Sequence, residues 1–248
     1  MKADIKDRKF YKRILAILLL LALWQTAAVL MGSSILLPSP LAVIKRLFTI
    51  WQEDGFTGAI AFSFVRIAGG FLLAFTTGIL LAVLAGKSEI AEIFLSPVMV
   101  TVKSVPVASI IIIALVWLSS SKLSIFISFL MVLPVIYSNV LQGIKSIDPK
   151  LNEMADVFRL DFKKRFRFIW IPSIKPFLLS STQVALGLAW KSGVAAEVIG
   201  IPSGSIGEQL YQAKAYLNTV DLFAWTVIIV LISVCFEKLC MTILKSKI

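Results

Sequence analysis

The chain has 248 residues, of which 58% are hydrophobic and 16% charged, and its formal net charge is +11. Soluble globular domains contain about 45–50% apolar and about 25% charged residues, so this composition excludes an ordinary soluble fold. The chain has no histidine, which excludes imidazole metal ligation and histidine-based acid–base catalysis, and we expect no metal site.

The apolar residues fall into six runs of about the ~20 residues that cross a ~30 Å hydrocarbon core. In chain order the runs are 14–31, 64–86, 97–118, 123–144, 174–198 and 222–244. The alternating pattern of a membrane β-barrel is absent, so each run is predicted to be a helix. Pro106 interrupts the third run and makes it the least regular. The sequence predicts an all-α membrane protein with about six transmembrane helices.

Lysine and arginine residues gather on one side of these predicted helices. They are Lys2, Lys6, Arg8, Lys9, Lys12, Arg13, Lys145, Lys150, Arg159, Lys163, Lys164, Arg165, Arg167, Lys175, Lys245 and Lys247. The loops predicted on the opposite side hold only Lys45, Arg46, Lys122 and Lys214. Since cytoplasmic loops carry the excess of basic residues, both termini are predicted to be cytoplasmic, with a basic N-terminal tail over residues 1–13. The same asymmetry explains the net charge without nucleic-acid binding.

The first apolar run has a second interpretation as a signal peptide. A basic stretch precedes it, and Thr26-Ala27-Ala28 offers small residues near its end. The run is long for a signal peptide, and its removal would spoil the charge balance of six helices. We therefore interpret it as an uncleaved membrane anchor.

Two features of the sequence bear on possible chemistry, the cysteine pair and the absence of a phosphate-binding motif. Cys235 and Cys240 lie in the sixth run at a spacing that places them on different helix faces. They are predicted to be packing residues and not a disulfide or a metal pair. The chain also lacks the phosphate-binding pattern GxxxxGK[ST], so we do not expect it to bind ATP itself.

The segment at about 145–173 carries the most specific pattern in the chain. Asp148-Pro149 predicts a helix start, with an acid at the cap and proline in the first position. The residues that recur near helical spacing are Leu151, Met154, Ala155, Phe158, Phe162 and Phe166. Basic residues crowd the second half, so a short amphipathic helix beneath the membrane is predicted. On composition alone, an interfacial helix on anionic lipid is an equally good interpretation.

The same segment resembles the EAA motif of ABC importer permeases: Glu-Ala-Ala, three residues, Gly, nine residues, then Ile-x-Leu-Pro. Here Glu153-Met154-Ala155 occupies the opening triplet, and Ile-Trp-Ile-Pro stands at 169–172. Met154 replaces the middle alanine. Arg159 replaces the glycine, at the point where the family's motif turns between two short helices and meets the ATPase.

The resemblance extends over most of the chain. The segments similar to sulfonate, taurine and nitrate permeases are LPSP at 37–40 with 63–86, SVPVASIIIIALVWL at 104–118, GLAWKSGVAAEVIG at 187–200 and the stretch 205–225. These segments occur in the order that the family shows. The chain is therefore identified as a member of this permease family, with residues 14–248 expected to form one transmembrane permease domain.

The resemblance implies a multi-pass subunit in a bacterial cytoplasmic (inner) membrane that does no covalent chemistry and holds no cofactor. A partner ATP-binding subunit dimer would bind ATP, and a solute-binding protein outside the cell would deliver the substrate. Two permease copies, as a homodimer, would enclose the path. The residues implied to couple to the ATPase are Glu153, Met154, Ala155, Phe158, Arg159 and Pro172. Phe158 and Phe162 would be apolar plugs or packing residues.

Polar residues at membrane depth give the candidates for the translocation path. A charge there costs ~2.5–3.5 kcal/mol on insertion scales and usually faces protein or water. The candidates are Lys103, Ser104, Trp117, Gln183, Trp190 and Lys191. The lysines either line the path and attract an anion or have structural roles, such as a pairing of Lys191 with Glu197. The aromatic residues have packing as their alternative. Arg66 is expected to extend to the outer interface.

The sequence thus predicts the membrane subunit of an ATP-driven importer of a small anionic solute, such as a sulfonate, taurine or nitrate. One alternative is a permease of the same family for a thiamine-precursor-type heterocycle. Another is a secondary transporter that works alone, although no internal repeat is evident. Dependence on a separate ATPase would distinguish the importer from this last class and from an intramembrane enzyme.

Overall fold

The computed structural model describes residues 2–247, with side chains at 11–12 and 14–246. Its α-helices are α1 (Lys2–Met31), α2 (Pro40–Leu47), α3 (Phe56–Lys87), α4 (Glu89–Ser104), α5 (Val107–Ala114), α6 (Ser120–Lys145), α7 (Pro149–Val157), α8 (Phe162–Arg165), α9 (Ile171–Gly200), α10 (Ile206–Ala215) and α11 (Thr219–Lys247). A 3₁₀ turn covers Ile50–Gln52, and a π-helical turn at Phe166–Trp170 joins α8 to α9. No strand occurs within residues 2–247, so the predicted all-α class is confirmed.

Four described helical segments are long and apolar enough to cross a membrane. They are Ile14–Met31 in α1, Phe56–Lys87 (α3), Ser120–Lys145 (α6) and Thr219–Ser246 in α11. The bent pair α4 and α5 gives a fifth if the two helices count as one span. Helix α9 has 30 residues, but its lysines, hydroxyls and Glu197 keep it out of this apolar group. The chain is therefore a multi-pass membrane protein.

The third apolar run does not form the single helix predicted for it. Helix α4 begins at Glu89, capped by the Ser88 side chain, and the chain bends by 100° between α4 and α5. Pro106 has no N–H to donate and pushes the residue before it out of the helical region. Val105 accordingly has extended backbone, with φ −78° and ψ 133°. Pro106 thus ends one helix and starts another, so the run over 97–118 is not one continuous helix.

The chain divides into two compact units. One contains the residues up to Thr57 together with Gln209–Ile228, and the other contains Gly58–Glu208 together with the residues from Ile229 onward. The prediction of one permease domain over 14–248 stays a prediction. The predicted basic tail at 1–13 lies outside the described side chains except for Tyr11 and Lys12, and so does Lys247.

In the first unit, Arg46 of α2 is the central polar contact. Its guanidinium donates to both carboxylate oxygens of Asp221, at the start of α11, and also to Glu53. The hydrogen bond to Asp221 raises the pKa of Arg46 above its usual value, so this cation stays charged. Ser39 caps α2 by accepting from Ala42 N at 3.2 Å. These contacts fix α2 to the start of the last helix.

In the second unit, α6 packs along α9, and an apolar core forms where α5 joins them. Close helix approach depends on glycine at particular positions. A Cβ on Gly70 would lie 2.4 Å from the Ile125 carbonyl oxygen, and one on Gly193 would lie 2.6 Å from both Ile67 Cγ1 and Ser128 Oγ. No such neighbour lies within 4 Å at Gly69 or Gly187. Small residues therefore mark helix contacts only where a neighbouring helix is present.

Candidate functional site

The segment between α6 and α9 forms a capped helix, a tight turn and a second helical piece. Asp148 Oδ1 accepts from Lys150 N at 2.9 Å, and Pro149 takes the first position of α7. The helix start predicted at Asp148-Pro149 is therefore confirmed. A single amphipathic helix through Phe166 is wrong, because the chain turns at Arg159 before α8 begins at Phe162.

Arg159 occupies the turn in a left-handed conformation, with φ 47°. Arg159 N donates to Asp156 O at 3.0 Å, and Leu160 N donates to Ala155 O at 2.9 Å. This is the Schellman pattern of helix ends, in which glycine is the usual residue. An L-residue there costs about 1–2 kcal/mol. The arginine that replaces the family's glycine thus keeps the turn that the resemblance implies, at some cost in stability.

The exposed face of α7 is apolar, with charges at its edge. Ala155 is 0% exposed and seats the helix on its own chain. Met154, Val157 and Phe158 are exposed at i, i+3 and i+4, Val157 to 80%. Exposed Glu153 and Arg159 flank this α7 patch. Val157 was not predicted as part of this patch, because the apolar residues at helical spacing were assigned to the face of α7 that contains Ala155.

Side-chain contacts hold α7 to the helix that follows. Arg165 donates to Asp156 Oδ1 at 2.5 Å and to Leu160 O at 3.0 Å, so it bridges the turn. Trp170 Nε1 donates to Asn152 Oδ1 at 3.4 Å. The ring of Trp170 also meets Phe162 edge-on, with centroids 5.5 Å apart, whereas Phe158 is exposed. Pro172, at the start of α9, is exposed as well. These contacts hold α7 against α8 and against the residue that precedes α9.

A polar cavity of about 210 Å³ lies between α4 and α6. Lys103 Nζ donates to Ser138 Oγ at 2.7 Å, and Lys145 pairs with Glu92 at 2.5 Å. The lining includes two lysines and one carboxylate, so the cavity carries one net positive charge. The neighbouring Ser104 hydroxyl donates to Val100 O and does not line it.

The other predicted pathway residues lie elsewhere and form no cluster with Lys103. Lys191 and Gln183 are exposed on α9, and Trp117 is 79% exposed. Trp190 is 2% exposed, with its ring near Phe64 and Phe236 at centroid distances of 6.0 and 6.3 Å. Within the single chain, Trp190 therefore has a packing environment, which was the alternative to a place in the translocation path.

Glu197 forms a buried contact that was not predicted from the sequence. Ser63 Oγ donates to Glu197 Oε2 at 2.6 Å, and Gly207 N donates to the same oxygen at 3.4 Å. Ile206 N completes the cluster by donating to Ser63 Oγ at 2.9 Å. The considered pairing of Glu197 with Lys191 is therefore wrong, since Lys191 is exposed while the Glu197 side chain is 0% exposed. The cluster ties α3 and α9 to the start of α10.

Arg66 has local partners on α3 and α6, and its extension to the outer interface stays a prediction. Its Nε donates to Ser121 O at 2.7 Å, and its guanidinium lies 3.3 Å from the centre of the Phe62 ring. This residue therefore connects α3 to the first turn of α6. Among the described residues, no group of three or more histidine, cysteine or acidic side chains is placed to hold a metal ion.

Comparison with known proteins identifies the family. The family described as binding-protein-dependent transport system inner membrane component matches residues 74–244, which include α6, α9 and the whole segment between them. The chain belongs to this family. The match confirms the resemblance stated from the sequence, and the chain is an ABC transporter permease.

Several characterised or named relatives align over most of this permease. The putative aliphatic sulfonates transport permease protein SsuC of Bacillus subtilis is 28% identical, covering 92% of this chain and 83% of its own. The nitrate import permease protein NrtB of Synechococcus elongatus is 30% identical, over 84% and 78% respectively. The taurine transport system permease protein TauC of Escherichia coli is 27% identical, over 88% and 82%. The similarity thus covers most of the chain and not the loop alone.

Proposed function

We propose that this permease is the membrane subunit of an ATP-driven importer for a small anionic solute of the sulfonate, taurine or nitrate kind. The observation that carries the proposal is the α7 patch, an exposed apolar surface with charged edges that directly precedes a tight turn at Arg159. Such patches mark protein contacts. The patch stands where the family's EAA motif would meet an ATP-binding subunit.

In this proposal, α7 is the part that the ATP-binding subunit moves. Met154, Val157 and Phe158 would enter a cleft of that subunit, with Glu153 and Arg159 at its rim. The contacts of Arg165 and Trp170 connect α7 to α9, so movement would reach the membrane helices. The permease itself would bind no ATP and carry out no chemical step.

The proposed assembly is a homodimer of this permease with two ATP-binding subunits, in a bacterial inner membrane. A solute-binding protein would deliver the substrate on the outer side. Six crossings would follow if α9 and the bent pair of α4 and α5 each count as one span. The distribution of lysine and arginine supports cytoplasmic termini.

An anionic solute is supported by charge. Lys103 donates to the neutral Ser138 hydroxyl and is in no ion pair among the described side chains, and its cavity carries one net positive charge. The relatives are named for aliphatic sulfonates, nitrate and taurine, each of which carries an anionic group. We propose that Lys103 and Lys191 both face the path in the assembled dimer.

The coupling proposal is tested by co-purification of the tagged permease with the ATP-binding subunit encoded beside it. Wild-type permease should retain the subunit, whereas Glu153→Ala and Arg159→Glu should release it or abolish its stimulated ATP hydrolysis. Lys164→Glu is the matched control, because it changes an exposed charge of α8 away from the α7 patch. Failure of the wild-type permease to bind an ATP-binding subunit would contradict the proposal.

A further inference from the structure

A basic cavity of about 660 Å³ lies where α8 passes through the π-helical turn into α9. Three cations line it, Lys163, Arg167 and Lys175, and no acidic side chain is part of its wall. Phe162, Phe166 and Phe168 supply the aromatic part of the lining. The cavity is therefore suited to an anion that also has apolar surface.

The π-helical turn brings the three cations to one side. In an uninterrupted α-helix, Lys175 would lie about 120° around the axis from Lys163. The extra residue of the π turn, in which Ile171 N donates to Phe166 O, removes about 100° of that rotation. The cations thus follow one face from α8 into α9. Such turns are frequent at functional sites.

The three cations of the cavity differ from the neighbouring Arg165, which has an acidic partner. Arg165 is paired with Asp156, but no ion pair among the described side chains includes Lys163, Arg167 or Lys175. Lys175 is half-buried. Three like charges converging on one cavity repel each other, and an anion with several acceptor oxygens would relieve that repulsion.

An apolar groove continues from the cavity and identifies the ligand as an amphiphile. A second cavity of about 280 Å³ shares Phe166, Ile171 and Lys175 with the first. Apart from Lys175, its walls are apolar and come from α3, α6, the π-helical turn and α9, including Ile79 and Leu178. A free phosphate or a nucleotide has no group for this groove, whereas an acyl chain does.

We propose that this cavity binds an anionic phospholipid of the cytoplasmic leaflet. The phosphate would lie among Lys163, Arg167 and Lys175, and an acyl chain would occupy the groove beside Ile79. The inference rests on the proposed cytoplasmic side of α8, where the leaflet is rich in anionic lipid. The bound lipid would anchor the start of α9, next to the contacts that tie it to α7.

The test is lipid retention by the purified permease, measured by native mass spectrometry after addition of phosphatidylglycerol, phosphatidylcholine or inorganic phosphate. The wild type should retain phosphatidylglycerol in preference to the other two. The triple variant Lys163→Gln/Arg167→Gln/Lys175→Gln should weaken retention by about tenfold or more. The control triple variant Lys150→Gln/Lys164→Gln/Lys238→Gln removes equal charge away from the cavity and should change retention less than about twofold.

A second variant tests the groove without changing charge. Ile79→Trp should fill it and lower retention of phosphatidylglycerol, while the thermal midpoint confirms a folded protein. Equal weakening in both triple variants would mean non-specific attraction and overturn the proposal. If inorganic phosphate bound as well as phosphatidylglycerol, the ligand would be a free anion and the lipid proposal would be overturned. If the wild type retained no lipid and the Lys163/Arg167/Lys175 variant lost its oligomer, the cavity would be a contact with another protein chain, which would also overturn the proposal. ATP-binding subunit retention in the same preparations would show separately whether the proposed function holds.

Discussion

Gly69 and Gly70 are adjacent in α3, yet alanine at these two positions should have opposite effects. A Cβ on Gly70 would lie 2.4 Å from Ile125 O, 2.9 Å from Ser128 Cβ and 3.2 Å from Ile125 C. Two of these three atoms are backbone, so α3 and α6 would have to separate. A Cβ on Gly69 meets nothing within 4 Å.

The size of the difference follows from two opposing effects. Overpacking costs about 1–3 kcal/mol, and alanine gains about 1 kcal/mol over glycine inside a helix. Because rigid backbone is involved at Gly70, we expect Gly70→Ala to lose about 2 kcal/mol net. That loss corresponds to a thermal midpoint lower by roughly 4–8 °C for a chain of this size. Gly69→Ala should leave the midpoint unchanged or raise it by a few degrees, about 2–4 °C.

The assay is thermal unfolding in one detergent, followed by intrinsic tryptophan fluorescence at matched protein and lipid content. Gly187→Ala is a second control, because that position is also open and helical. Equal midpoint shifts for Gly69→Ala and Gly70→Ala would refute the packing of α3 against α6 on which the prediction depends.

Three further predictions concern charge and the turn. Lys103→Met and Lys191→Met should abolish solute uptake with assembly intact, because both remove a cation proposed to face the path; undiminished uptake would disprove that role. Asp221→Ala should lower stability by about 1–3 kcal/mol, since it leaves the half-buried Arg46 without its main partner. Adding Arg46→Ala should cost little more, and full additivity in thermal unfolding would disprove the pairing. Arg159→Gly should raise stability by about 1 kcal/mol, because glycine adopts the left-handed turn without the cost that Arg159 already carries. Arg159→Val should lower stability, because a branched Cβ is tolerated least at positive φ; equal thermal midpoints would contradict this reason.

Features that depend on neighbouring residues in the chain were predicted well. Asp148-Pro149 marks the start of α7, because a capping carboxylate followed by proline is a local signal. Pro106 was correctly identified as an irregular position, but its consequence was underestimated. A proline in the sequence indicates that a helix is interrupted, but it does not give the angle, which is 100° between α4 and α5.

Features that depend on distant residues were not accessible from one sequence. Ser63 and Glu197 are 134 positions apart, and only folding shows that one donates to the other. Gly69 and Gly70 are identical in type, and only the position of α6 distinguishes them. The π-helical turn shifts the register of α9 without any glycine or proline inside Phe166–Trp170. The basic cavity could therefore not be inferred from the spacing of its lysines.

The central claim, that this permease works only with a separate ATP-binding subunit, is tested most directly by uptake in proteoliposomes. Vesicles would contain the permease with or without the ATP-binding subunit, with ATP enclosed and the solute-binding protein outside. Radiolabelled taurine, an alkanesulfonate and nitrate are the solutes to compare. We predict uptake of at least one of them only when both subunits and ATP are present. Equal uptake by the permease alone would contradict the claim and identify a transporter that works without ATP.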